Sequence, residues 1–132
     1  MTAAEQLRAD LAELTEKTSI AGTIVEGEQL LCLLHGVAVP VGKFTKDATD
    51  ILFLTDTNYP GSAMDMFWVD EDFKLADGTA PTNADQLTDY PGTGKIWRRF
   101  SVHRGPESPW NPNANGVMQQ YLVAVRRLEM PE

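Results

Sequence analysis

Apolar residues recur at two spacings along the chain, and the change of spacing separates helices from strands. Near the N-terminus, leucines follow one another every three or four residues, which places them on one face of a helix. These leucines are Leu7, Leu11 and Leu14. Thr2 and Glu5 have the spacing of a capping box, in which each side chain accepts a backbone N–H at the helix start. The pattern predicts a first helix over residues 3–17, with its leucines toward the core.

Residues 19–69 change to short apolar runs separated by turn residues, a pattern typical of β-strands. The predicted strands are residues 19–26, 30–34, 50–55 and 66–69. Residues 30–34 read Leu-Leu-Cys-Leu-Leu, and this continuous apolar run indicates a strand that is buried on both faces. Pro40 lacks a backbone N–H, so it marks a strand end or a sheet edge.

The pattern weakens after the fourth predicted strand. Residues 71–95 are rich in Asp, Gly, Pro, Asn and Thr, which predicts a long irregular segment of the kind that is functional or mobile. Helical spacing then returns near the C-terminus and predicts a last helix that begins near residues 113–116. Its apolar stripe is Val117, Tyr121, Val125 and Leu128.

The order of these elements predicts the fold class. A helix, four strands, an irregular segment and a second helix indicate an α+β fold, with a four-stranded antiparallel meander and the helices on one face. The chain has 132 residues and is 42% hydrophobic, which suits one domain over residues 1–132.

Charge and composition exclude several classes of protein. A net charge of −8 disfavours nonspecific nucleic-acid binding, which needs surplus cations. The chain has no apolar run of the roughly 20 residues that cross a bilayer, so we expect no membrane partner. The acidic first ten residues lack the pattern of a secretory signal, and a single cysteine fits a reducing compartment, so we expect a cytoplasmic protein.

The charges are unevenly distributed along the chain. Residues 46–90 hold ten acids against Lys46 and Lys74, whereas residues 95–132 hold six bases against three acids. This distribution fits an ordinary acidic surface. It also fits a basic patch near the C-terminus that receives an acidic partner or a carboxylate.

Several longer stretches resemble a known family. They are Tyr59-Pro60, the run Met-Asp-Met-Phe-Trp-Val-Asp at 64–70, Leu-Ala-Asp-Gly at 75–78, Trp-Arg-Arg-Phe-Ser at 97–101 with His103, and Trp-Asn-Pro at 110–112. Over about residues 37–128 the chain resembles prokaryotic family E of the ubiquitin-conjugating enzyme superfamily. The resemblance implies the superfamily fold. It also implies three partners: a bacterial ubiquitin-like protein, an activating enzyme and a JAB-type metallopeptidase.

The chain departs from the superfamily where its chemistry takes place. The His-Pro-Asn box after the fourth strand is replaced by Asp70-Glu71-Asp72, and no cysteine follows Cys32. A thioester needs a thiolate that attacks an activated carboxyl carbon. We therefore predict a non-catalytic adaptor, a pseudoenzyme of this pathway. Two alternatives are an enzyme with a relocated centre, at Cys32 or around His103, and a plain interaction domain.

A few residues are candidates for these roles. Cys32 is expected to be a small buried hydrophobe, and it would be reactive only in an accessible, cationic setting. His103 is either a structural histidine or part of a site where Arg98 and Arg104 bind the C-terminal carboxylate of the ubiquitin-like protein. The candidate partner-binding residues are Tyr59, Pro60, Trp97, Arg98, Arg104 and Trp110. No spacing of metal ligands is recognised, and we expect no metal or cofactor.

Overall fold

A computed structural model describes residues 1–90, 92–102 and 109–129. In this part of the chain the helices are α1 (Ala3–Thr18) and α2 (Val117–Glu129). The strands are β1 (Gly22–Glu26), β2 (Leu30–Ala38), β3 (Ala48–Thr55), β4 (Phe67–Asp70), β5 (Gln86–Tyr90) and β6 (Lys95–Phe100). Neither described helix is both long enough and apolar enough to cross a bilayer.

The first helix begins and ends as its sequence predicts, within one residue. The Thr2 hydroxyl accepts the Glu5 N–H at 3.1 Å, and the Glu5 carboxylate accepts the Thr2 N–H at 3.2 Å. Ser19 ends the helix in the left-handed conformation, with φ at 65°. The leucine stripe is buried against the sheet, which confirms the predicted orientation of α1.

The sheet has the order β1-β2-β3-β4-β6-β5, and each neighbouring pair is antiparallel. Its first four strands form the predicted meander, and the α+β fold class is confirmed. The sheet also contains two strands within and beyond the segment predicted to be irregular. β5 was not predicted, because its residues are mostly polar and exposed and do not alternate between apolar and polar. Within residues 71–95, the described positions that lie outside strands are 71–85 and the turn at 92–94.

Apolar side chains cover both faces of the sheet. The inner face packs against α1 and α2, and it receives Leu30, Cys32 and Leu34 from β2. The outer face carries a second cluster, to which β2 contributes Leu31 and Leu33. The prediction that residues 30–34 are buried on both faces is therefore confirmed.

The second cluster, called the outer cluster below, lies on the face away from the helices. Its buried members are Leu31, Leu33, Leu52, Trp68 and Trp97. β1 and β5 are opposite edges of the sheet. The turn between β5 and β6 nevertheless folds over the outer cluster toward β1. A Cβ on Gly92 would lie 2.9 Å from Cγ1 of Val25 in β1, so the turn lies directly against the first strand. The outer cluster is therefore partly covered by the chain's own hairpin.

Candidate functional site

Cys32 is the only thiol of the chain, and it is fully buried. It lies in the middle of β2 on the inner face, opposite Ile24 of β1 and Phe53 of β3. Burial raises the pKa of the Cys32 thiol to about 12, because a thiolate would lose its hydration there. At neutral pH the group is a protonated thiol with no access to a reactant.

The segment that follows β4 is held in place by Arg98. Its Nε donates to the Glu71 carbonyl at 3.1 Å, and its Nη1 donates to the Ala84 carbonyl at 2.7 Å. Arg98 is 6% exposed, so its guanidinium is engaged inside the protein. The sequence prediction had placed this arginine at a partner surface, where it would bind a carboxylate. Its position in the fold gives it a different task, which is to fix both ends of residues 71–84 against β6.

A network of alternating charges stands at the end of β4. Asp70 Oδ1 lies 2.5 Å from Lys95 Nζ, and Asp70 Oδ2 lies 2.8 Å from Lys46 Nζ. Asp50 also pairs with Lys95, and Asp72 pairs with Lys46. Burial alone would raise the pKa of Asp70, but hydrogen bonds from the two lysines outweigh burial and lower it. The carboxylate is therefore charged and fully engaged, so it is poorly suited to act as a general base.

Tyr59 joins the turn before β4 to both helices. Its side chain is 3% exposed, and its hydroxyl donates to Asp10 Oδ2 of α1 at 2.5 Å. The same hydroxyl accepts the Val117 N–H at 3.2 Å, at the first residue of α2. Burial and the neighbouring Asp10 carboxylate raise the Tyr59 pKa far above its ordinary value. Tyr59 is thus an internal junction and offers almost no surface to a partner.

Pro60 and Trp110 are the predicted partner-binding residues that reach the surface within the described ranges. Both are partly exposed, and the Trp110 indole Nε1 donates to the Pro60 carbonyl at 2.7 Å. Pro60 also borders a cleft of about 470 Å³ between α1 and residues 112–119. Polar side chains line most of this cleft, among them Gln6, Glu13, Lys17, Asn113 and Gln119. Pro60, Trp110 and the cleft together form the candidate site, called the Pro60 surface below.

The remaining candidates are placed differently. Trp97 is fully buried in the outer cluster, and its Nε1 donates to the Thr93 hydroxyl at 3.0 Å. His103 and Arg104 lie outside the described residues. Among residues 1–90, 92–102 and 109–129, no three His, Cys, Asp or Glu side chains converge as a metal site would require.

Two groups of residues around these sites were missed by sequence reasoning. Lys46 and Lys95 hold Asp70, but their meeting depends on β6 lying beside β4, which the local pattern does not reveal. Gly116 lies directly before α2. A Cβ there would lie 2.8 Å from the Tyr59 hydroxyl oxygen, so the start of α2 requires glycine for close approach. A glycine directly before an apolar helical stripe was the one available signal.

Comparison with known proteins agrees with this architecture. The model of the family described as Prokaryotic E2 family E matches residues 7–130. No curated protein and no solved structure matches the chain. The match spans most of α1, the whole sheet and α2, and it includes both the Tyr59-Pro60 turn and the segment after β4. The chain therefore belongs to prokaryotic E2 family E, a family of ubiquitin-conjugating-like proteins.

Proposed function

We propose that this protein is a non-catalytic adaptor of a ubiquitin-like modification pathway in the bacterial cytoplasm. In this role it binds a ubiquitin-like protein or its activating enzyme without carrying a thioester. One observation carries the proposal: the only thiol is fully buried in β2, and burial raises its pKa to about 12.

The segment after β4 supports the same conclusion. Residues 71–85 contain no Cys, so they lack the thiol that a thioester requires, and they contain no Ser or His. At the two borders of this segment, Asp70 pairs with Lys46 and Lys95, and Arg98 donates to backbone carbonyls. Such groups position a backbone well and react poorly.

The Pro60 surface is the proposed binding site for the pathway partner. Trp110 presents a partly exposed ring that is fixed by its hydrogen bond to Pro60, so little side-chain entropy is lost when a partner covers it. Fixed aromatic side chains of this kind commonly dominate binding free energy at protein interfaces.

Two measurements test the proposal. Native thiol labelling followed by intact mass should leave Cys32 unmodified until the protein is denatured. Incubation with a cognate activating enzyme, ubiquitin-like protein and ATP should give no adduct that a reductant removes. A reducible adduct on Cys32 would overturn the adaptor role.

Binding supplies the positive half of the test. Calorimetry with the ubiquitin-like protein and with the activating enzyme should detect association with at least one of them. We expect Trp110→Ala to weaken it at least fivefold, as for an aromatic interface residue. Val41→Ala is a matched control, because Val41 is 83% exposed and does not line the Pro60 cleft. Absence of binding to both proteins would favour a plain interaction domain.

A further inference from the structure

A second cleft opens at the edge of the outer cluster, away from the Pro60 surface. It lies between the β1–β2 turn, at residues 27–29, and the β5–β6 turn, and it has a volume of about 510 Å³. Its lining includes Val25, Leu31 and Tyr90. We call it the hairpin cleft, because both of its walls are hairpin turns.

The floor of the hairpin cleft is continuous with the outer cluster. Leu31 belongs to that cluster, and the Tyr90 ring packs edge-on against Trp68 with 5.4 Å between ring centroids. Trp68 is 3% exposed, and its indole Nε1 has no hydrogen-bond partner within the described structure. An apolar group that enters the cleft would therefore extend an existing cluster and leave water, which is favourable.

The rim of the hairpin cleft is acidic. Glu26 lies on one side, where Arg8 of α1 already pairs with it at 2.6 Å. Glu28 is exposed in the turn, and its carboxylate forms no hydrogen bond or ion pair with any described residue. No described lysine or arginine lines the cleft, and the whole chain carries a net charge of −8. The rim therefore complements a cation.

We propose that the hairpin cleft binds a peptide segment of a partner protein in which an apolar side chain stands next to Lys or Arg. The apolar side chain packs on Leu31 and Tyr90, and the cation pairs with Glu28. This site is separate from the Pro60 surface, and the proposal does not rest on the adaptor function.

Three synthetic peptides test the proposal by NMR of the full-length, ¹⁵N-labelled protein. The first is acetyl-Gly-Leu-Arg-Gly-amide. In the second, glutamate replaces arginine, and in the third, serine replaces leucine. We expect the first peptide to shift the backbone amides of residues 27–31 and Gly92 in a saturable manner, with a dissociation constant on the order of 1 mM. The other two peptides should bind at least fivefold more weakly.

Trp68 provides a second reporter for the same titration. Its indole N–H has no hydrogen-bond partner among the described residues, and its ring contacts Tyr90, which lines the cleft, so its signal should move with the peptide. The indole N–H of Trp110 should stay in place, because that side chain is anchored to Pro60 on another surface.

Charge reversal at the rim tests the role assigned to Glu28. Glu28→Lys should weaken the leucine–arginine peptide about fivefold, because it removes an exposed ion pair and adds repulsion. Glu16→Lys makes the same change of net charge on the exposed surface of α1, away from the cleft, and it should change binding less than twofold. Both substitutions are at exposed positions, so the fold is retained in each variant.

Several results would overturn the proposal. One is the absence of saturable shifts at 10 mM peptide, a concentration about ten times the expected dissociation constant. The others are equal binding of the arginine and glutamate peptides, and equal effects of Glu28→Lys and Glu16→Lys on binding. Shifts of the same amides that appear when the free protein is concentrated would assign the cleft to a second copy of this chain, and they would also overturn it.

Discussion

Arg98 shows how one side chain sets the shape of the region after β4. Its guanidinium holds the carbonyls of Glu71 and Ala84, at the two ends of an irregular segment that has little regular structure of its own. A buried arginine is stable in such a place only when its N–H groups are hydrogen-bonded. Arg98 is therefore a positioning residue for residues 71–84.

Replacement of this arginine should loosen the segment and destabilise the fold. Arg98→Met keeps much of the side-chain volume but removes both hydrogen bonds and leaves two carbonyls unpaired. We expect a loss of about 2–4 kcal/mol in the free energy of unfolding, measured in urea. Amide hydrogen exchange within residues 71–85 should also become faster.

Arg126→Met is the matched control for this measurement. Arg126 is exposed on α2, and we expect a change within about 0.5 kcal/mol there. A loss below about 1 kcal/mol for Arg98→Met, with unchanged exchange, would contradict the positioning role.

At the scale of elements, the charge network at Asp70 ties three parts of the chain together. Lys46 comes from the loop before β3, Asp70 ends β4, and Lys95 begins β6. The Lys95 ammonium also lies 4.4 Å from the centre of the Trp97 ring. The same cation therefore pairs with Asp70 and makes a cation–π contact with the outer cluster. Loss of Asp70 would leave two ammonium groups with weaker partners.

Asp70→Asn should therefore destabilise the protein in a pH-dependent manner. The folded-state pKa of Asp70 is lowered from its ordinary value of 3.8, so its contribution is present above that value and lost as the pH falls below it. We expect a loss of about 1–3 kcal/mol in the free energy of unfolding at pH 7. The difference from the wild type should shrink as the pH falls from about 5 to about 2.

Urea titrations at several pH values provide the measurement. Asp89→Asn serves as control, because Asp89 is exposed on β5 and its carboxylate forms no hydrogen bond or ion pair with a described residue. If the effect of Asp70→Asn were the same at pH 7 and pH 2.5, the ionic origin of the stabilisation would be wrong.

The elements differ in how far the sequence could predict them. α1 can be predicted from its leucine stripe and capping box, because both signals depend on residues that are close together in the sequence. β5 gives no such signal, since its polar residues form a strand only through pairing with β6. The bond from Tyr59 to Asp10 and the pairing of Asp70 with Lys95 were equally hidden, because each joins residues that only the whole fold brings together.

For the whole molecule, the two apolar layers share one sheet as their common wall. A sheet of this class commonly leaves one face to water, which gives alternating apolar and polar residues. Here β2 places consecutive leucines in different layers, Leu33 in the outer cluster and Leu34 in the inner core. Both layers should therefore contribute to one cooperative unfolding transition.

This pair of adjacent leucines allows a matched comparison. Leu33 is 7% exposed and Leu34 is fully buried, so each alanine substitution should leave a cavity. We expect Leu33→Ala and Leu34→Ala each to lower the free energy of unfolding by about 2–4 kcal/mol in urea. A loss below about 1 kcal/mol for Leu33→Ala alone would mean that the outer cluster adds little to the stability of the domain.

The burial of Cys32 has a consequence for chemistry that lies outside conjugation. Oxidation of a cysteine by peroxide begins with an accessible thiolate, and Cys32 is neither accessible nor ionised at neutral pH. Conjugating enzymes that depend on a reactive thiol lose their activity when that thiol is oxidised. This chain has no other cysteine. Peroxide therefore cannot switch off its binding to a partner by oxidising one of its cysteines.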